Sequence, residues 1–333
     1  MKERFHSIKI FTDAIPSVNE NDFQDIALQL FQFQAAHNPV YQSFLQHLGI
    51  NPTKIASIDQ IPFLPIGFFK TGILKTGNWQ PSTIFTSSGT TGITTSQHAI
   101  NDIGFYLQHA TQIFERVYGS LKDYHILALL PSYLERQGSS LIAMMEHFIR
   151  LTESPHSGFY LYNQDEFISK ADFLKNDKRK VMVWGVSFAL LDLAEKNQVD
   201  LSKAIVMETG GMKGRRKEWV REELHQFLCA RFNVKSIHSE YGMTELLSQA
   251  YSNGDGLFES PNSLKIVIKD LNDPFQTLET GKTGLISIID FANAQSCAFI
   301  QTQDLGRITQ NGYFEVLGRM DNSDVRGCNL LVG

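Results

Sequence analysis

Cysteine is scarce in this chain of 333 residues: Cys229, Cys297 and Cys328 stand far apart with no C-x-x-C pair. That distribution argues against a disulfide framework and gives no zinc-site spacing, so each is read as a free thiol. Positive charge is not in surplus either. Lys plus Arg number 30 against 35 for Asp plus Glu, a formal charge of -5. Non-specific capture of nucleic acid therefore has no electrostatic basis, although a local phosphate site stays open. Long apolar runs are missing as well. The longest, His125 to Leu134 and Val181 to Ala194, are too short to cross a bilayer and contain Pro131, Trp184 and Ser187. The first residues interleave Lys2, Glu3, Arg4, His6 and Lys9 with single apolar side chains, which is not the pattern of an export signal. A cytoplasmic protein with no integral membrane association is expected.

What is present is enough apolar material, 42% of the chain, to bury a large core. Asp22 to Gly49 repeats apolar positions at helical spacing (Phe23, Ile26, Ala27, Leu30, Phe31) until Gly49 and Pro52 stop it. In Ile61 to Gly77, Pro62 and Pro65 hold Phe63, Leu64, Ile66, Phe68 and Phe69 in an extended path. From Thr83 to about Tyr251, short apolar strands such as Ile126 to Leu130 and Val181 to Val183 alternate with amphipathic helices such as Ser139 to Arg150 and Phe188 to Lys196. That alternation predicts an α/β fold with a mainly parallel, helix-covered sheet. From Leu264 the pattern changes to period two in Lys265 to Lys269, Leu285 to Asp290 and Tyr313 to Leu317, which predicts a small antiparallel β subdomain. One body over 1–320 is expected: a helical and Pro-rich segment (1–80), an α/β nucleotide-binding part (81–255) and the β subdomain (256–320). A short tail, 321–333, carries Cys328.

Three segments carry chemistry. In Ile84 to Gly92 a strand runs into Thr86, Ser87, Ser88, Gly89, Thr90, Thr91 and Gly92. Small residues let backbone amides approach a ligand, and amides with hydroxyls make an anion nest suited to phosphate. It is not the common NTPase loop, because no Lys follows Gly92. Taken alone, it is as readily a polar turn. The second segment, Glu240-Tyr241-Gly242-Met243-Thr244-Glu245, follows the apolar-alternating stretch Phe232 to Ile237, and the end of a strand is where open α/β sheets bind ligands. There an aromatic ring can stack on a base and a carboxylate can hold Mg2+ against phosphates. By itself, such a pair is more often a rim contact and a solvated charge. The third segment is Gln303-Asp304-Leu305-Gly306-Arg307 with Gly318-Arg319-Met320-Asp321. A carboxylate can accept from ribose hydroxyls and a guanidinium can meet phosphate in a fixed fork, though each piece alone is an ordinary turn.

In this order and at these distances, the three segments resemble the adenylate-forming superfamily of acyl-CoA synthetases, firefly-type luciferases and peptide-synthetase activating domains. The resemblance implies that Thr86 to Gly92 grips the ATP phosphates, that Tyr241 with Gly242 meets adenine, and that Gly210, Gly211 and Met212 line the adenine pocket. It further implies that Thr244 contacts the α-phosphate, Glu245 holds Mg2+, Asp304 binds ribose, and Arg319 reaches ribose and phosphate. Twelve residues follow Asp321, so a member lacking the usual C-terminal lid domain and its lysine is expected.

Ile61 to Ile66, Phe69-Lys70, Leu130 to Arg136 and Arg326-Gly327-Cys328 are similar to the acyl-protein synthetases of bacterial luminescence, the LuxE type. This likeness implies adenylation of a fatty or other carboxylic acid, then a thioester on Cys328 for hand-over to an acyl-protein reductase or another acyl acceptor. An alternative is a ligase of the phenylacetate-CoA type that passes the acyl group to coenzyme A or a carrier. A non-catalytic nucleotide-binding subunit is the other. His125 and His238 are expected to be packed or hydrogen-bonded rather than catalytic, and Ser139 and Ser140 to start a helix.

Overall fold

The structure, a computed structural model, describes residues 8–87, 95–131, 138–211 and 219–320. These divide into two compact units: residues 8–68, 74–78 and 262–320 form one, while Phe69–Ile73 and Trp79–Pro261 form the other.

In the former, Asn19 caps the helix Glu20–His37 by accepting from the Asn21 and Asp22 amides at 3.0 and 3.3 Å, and two acids sit in its first turn. The expected helix of Asp22 to Gly49 divides in two. Asn38 leaves the helical region (φ -109, ψ 105), caps the Tyr41 amide, and Pro39 opens a second helix, Pro39–His47. Proline brings no amide to a continuing ladder and pushes its predecessor to extended geometry. Buried Gln34 joins this helix to the far end of the chain: its Nε2 donates to the Ala294 carbonyl at 2.8 Å, and its Oε1 accepts from the Ala298 amide at 2.9 Å. Phe31, Tyr41 and Phe299 pack against one another beside it.

Four strands, Leu264–Lys269, Gly284–Asp290, Phe299–Ile308 and Phe314–Arg319, pair antiparallel in chain order, and Leu64–Pro65 runs parallel to Phe299–Ile308. Three were expected. Phe299–Ile308 was not, because Gln301, Gln303, Asp304 and Gly306 interrupt its apolar pattern. At Gly306 a Cβ would lie 2.3 Å from the Glu315 carbonyl oxygen and 2.6 Å from Ile286 Cδ1, so glycine alone lets the ladder pass.

The other unit holds the expected mainly parallel sheet, in the order Gly158–Phe159, Tyr124–Leu129, Lys180–Val186, Ala204–Thr209, His238–Tyr241 and Ala250–Ser252; only the last pairing is antiparallel. Every residue of Tyr124–Leu129 is buried, as a strand covered on both faces requires. Helices Ile103–Tyr118, Ser140–Leu151, Ser187–Lys196 and Arg221–Phe232 belong to this unit. Phe114, Phe148, Trp184 and Tyr251 form an aromatic core. Phe232 to Ile237 is not the expected strand. Phe232 ends a helix, Asn233 turns left-handed at φ 56 to cap it, and the strand begins at His238. Ser139 precedes the helix Ser140–Leu151 as expected but makes no side-chain cap bond. Strands Thr83–Thr86 and Gln97–Ile100 form a separate antiparallel hairpin.

Candidate active site

The hairpin presents the Ser/Thr/Gly loop between two braced strand ends. The Thr86 amide donates to the Gly138 carbonyl at 2.7 Å and the Ser87 amide to the Ser96 carbonyl at 3.1 Å. In return, Ser87 Oγ accepts from the Ser96 amide at 2.9 Å. Gly138 has φ +74, and a Cβ there would come to 3.4 Å from Thr86 Oγ1. Thr86 and Ser87 are thus firmly placed. Ser88, Gly89, Thr90, Thr91 and Gly92 lie outside the described residues.

At the carboxyl ends of the parallel strands stands a row of buried polar groups that the sequence reading missed. Glu208, 4% exposed, accepts from Ser187 Oγ, and Ser187 also reaches the Gly210 carbonyl at 3.2 Å. His225 Nε2 is 3.9 Å from Glu208 Oε2, within the reach of charge but beyond a hydrogen bond. Burial pushes the Glu208 carboxyl upward, yet His225, the Arg221 guanidinium and the Ser187 hydroxyl outweigh it and hold the group below the ordinary glutamate range. His225 Nε2, Arg221 Nη1 and Ser239 Oγ are buried here without hydrogen-bond partners. On the opposite face of the sheet Thr209 Oγ1 donates to Glu240 Oε2. A signal for these groups exists in the sequence, since charged residues inside apolar strands are anomalous.

Gly210 (φ +69) and Gly211 follow directly; Met212 lies outside the described residues. Tyr241 ends its strand, buried, with its ring edge-on to Phe258 at 5.9 Å. At Gly242 a Cβ would stand 2.2 Å from Glu240 Oε1, so any side chain there would displace that carboxylate. The motif therefore begins on the strand itself and turns away at Gly242.

Thr244 and Glu245 lie in the turn that follows, Glu245 at 6% exposure. The Thr244 carbonyl accepts from His98 Nδ1 at 2.8 Å, which brings the hairpin and the Tyr241 to Glu245 segment into direct contact. His98 is buried, and burial lowers its pKa to about 4 against the opposing effect of this bond. No group of three His, Cys, Asp or Glu among the described residues is arranged to hold a metal. Mg2+ keeps several waters and takes one or two carboxylates together with substrate phosphates, and the side chains of Glu245 and Thr244 end in oxygens of that hard kind.

In the other unit, Asp304 and Arg319 pair in antiparallel register. The Asp304 amide donates to Thr302 Oγ1 at 3.0 Å, and Arg319 Nη2 donates to Gln303 Oε1 at 3.3 Å. Both residues belong to strands, not to the turns that their local patterns suggest. Cys297 is buried, its thiol pushed up to about 12 by burial, and burial also raises Cys229. Cys328 lies outside the described residues. His125 bonds Ser154 and Asp177 and His238 bonds Tyr118, which agrees with their packed roles.

This is the fold of the large domain of adenylate-forming enzymes. 2-Hydroxyisobutyryl-CoA ligase with bound 2-HIB-AMP matches at a TM-score of 0.66 and 13% identity, over 91% of this chain and 69% of that one. ATP-bound MatB from Rhodopseudomonas palustris matches at 0.53 and 15%, over 71% and 47%, so the matched part spans about half the length of MatB. The profile of the acyl-protein synthetase family LuxE matches residues 17–333, and the chain belongs to that family of ligases. A long-chain-fatty-acid–luciferin-component ligase from Vibrio harveyi is 21% identical over 332 residues, covering 90% of this chain and 84% of that protein. Among the described residues no helix is long and apolar enough to cross a membrane.

Proposed function

We propose that the protein uses ATP to convert a carboxylic acid, in the first place a fatty acid, to its acyl-adenylate and then passes the acyl group to a thiol. The observation that supports this most is the joining, through His98 and the Thr244 carbonyl, of the phosphate-loop hairpin to the Tyr241 to Glu245 segment. In the first step a carboxylate oxygen attacks the α-phosphorus of ATP and pyrophosphate leaves. Two anions must meet, so the work of the protein is to position and neutralise. Thr86, Ser87 and the loop they begin cradle the phosphates, the Thr244 hydroxyl meets the α-phosphate, Tyr241 and Gly210 to Met212 border the base, and Asp304 and Arg319 bind ribose and phosphate. Mg2+ held by Glu245 would offset phosphate charge.

In the second step a thiolate attacks the acyl carbonyl and AMP leaves. Cys328 is the proposed acceptor: Cys229 and Cys297 have thiols whose ionisation burial opposes, and it is the thiolate that reacts. From there a partner, an acyl-protein reductase or another acceptor, takes the acyl group. Exchange of labelled pyrophosphate into ATP, dependent on added acid, tests the first step. A binding subunit without turnover gives no exchange, and that result would overturn the proposal.

A further inference from the structure

The hairpin Thr83–Thr86 and Gln97–Ile100 is a two-stranded sheet of its own, and such a sheet is marginal in water without outside support. Phe85 packs edge-on against Tyr106, and the Thr86 amide is bonded to Gly138. The reach toward the second motif is made by His98. Its Nδ1 lies 2.8 Å from the Thr244 carbonyl. A carbonyl only accepts, so Nδ1 carries the proton and the tautomer is settled. Phe69 meets the ring edge-on at 5.3 Å and 80°, and the residue is 1% exposed, so the imidazole has little room to turn.

The bonded carbonyl belongs to the peptide that joins Thr244 to Glu245. Because a peptide is planar, holding its oxygen sets the orientation of the whole unit between two side chains assigned to the same reaction. Loss of the bond would remove this restraint on the plane and leave the part-buried carbonyl without this donor.

We propose that His98 is a positioning residue for adenylation, which locks the Thr244–Glu245 peptide to the hairpin bearing the phosphate loop. This rests on the adenylation reading. The ring touches neither acid nor nucleotide in this role, and acts through Thr244 and Glu245.

The test uses three variants and acid-dependent pyrophosphate–ATP exchange. His98→Asn places an amide N–H near the position of Nδ1, His98→Gln carries its amide farther out, and His98→Leu fills the space with no donor. At saturating ATP, the Leu variant is expected to exchange about tenfold slower or less, the scale of one hydrogen bond that matters in the transition state, with the KM for the acid unchanged. Asn is expected to restore most of the rate and Gln little of it. A purely structural role predicts instead that exchange follows the thermal midpoint, with no split between kcat and KM. Wild-type exchange in His98→Leu, or equal exchange in the Asn and Gln variants, overturns the role of His98; the second comparison decides the matter if the Leu variant does not fold. Absence of exchange in the unsubstituted protein overturns the adenylation reading, and this proposal with it.

Discussion

Asp304 and Arg319 occupy the same register on neighbouring antiparallel strands, while the Arg319 guanidinium donates to Gln303 Oε1 at 3.3 Å. Opposed residues in such a ladder project to one face, which suits a ribose hydroxyl next to a phosphate. Asp304→Ala is expected to weaken ATP binding by about 1.5–3 kcal/mol, the usual worth of hydrogen bonds to a charged group. Calorimetric titration of ATP checks this, and an unchanged dissociation constant removes Asp304 from the ribose site.

Glu245 is buried at the turn after Gly242, and a carboxylate is the donor that Mg2+ takes alongside substrate phosphates. Glu245→Gln keeps the shape and loses the charge. Pyrophosphate exchange should disappear while the circular dichroism spectrum stays that of the parent protein. Exchange that persists at the parent rate and Mg2+ dependence shows that another group holds the metal.

The network centred on Glu208 makes a prediction about stability. Its carboxyl is held below the ordinary glutamate value despite burial, so its folded pKa is depressed. Such a group contributes stability that is complete above the unfolded pKa and is lost as pH falls through the folded one. Glu208→Gln should cost about 1–3 kcal/mol at pH 7, through the weakened interactions with Ser187, His225 and Arg221. The difference from the parent protein should stay constant down to about pH 5, above the unfolded glutamate range, and then narrow on further acidification, first as the unfolded chain takes up the proton and finally as the folded carboxyl does. Denaturant midpoints measured across that range provide the check. A difference that grows on acidification contradicts the assigned direction.

The fold class was largely legible in the chain because local pattern and tertiary position agree there. Tyr241 sits at a strand end, and Gly242 leaves room for the Glu240 carboxylate. What was not legible depends on partners distant in sequence. His98 lies in a short strand whose pattern gives no hint of Thr244, 146 residues away. Glu208 stands out in the chain as a charge inside an apolar strand, but its partners Ser187, Arg221 and His225 do not. Phe299–Ile308 escaped notice because period two fails where Gln301, Gln303 and Asp304 enter the strand, and the division of the first helix at Asn38 rests on one proline outweighing the periodicity on either side.

Cys328 is the residue on which the second half-reaction turns. Free cysteine is commonly buried and inert, and Cys297 is such a case: fully enclosed, its thiol pushed up to about 12 by burial. Cys229, on the helix Arg221–Phe232, is also raised by burial. Neither offers much thiolate at neutral pH. Cys328 follows Arg326 and Gly327, and a neighbouring cation favours the thiolate while glycine frees the backbone beside it. Seven residues beyond Asp321, an extended chain reaches about 23 to 25 Å. Incubation with ATP, Mg2+ and a labelled fatty acid is therefore expected to leave hydroxylamine-sensitive label on the protein. Cys328→Ser should remove that label while acid-dependent pyrophosphate exchange continues, since the first step does not use the thiol. Label that survives in this variant, or that maps to Cys229 or Cys297, contradicts the assignment. Exchange with no label on any cysteine, joined to rapid acylation of added coenzyme A, would make a free thiol the acceptor in place of the protein's own.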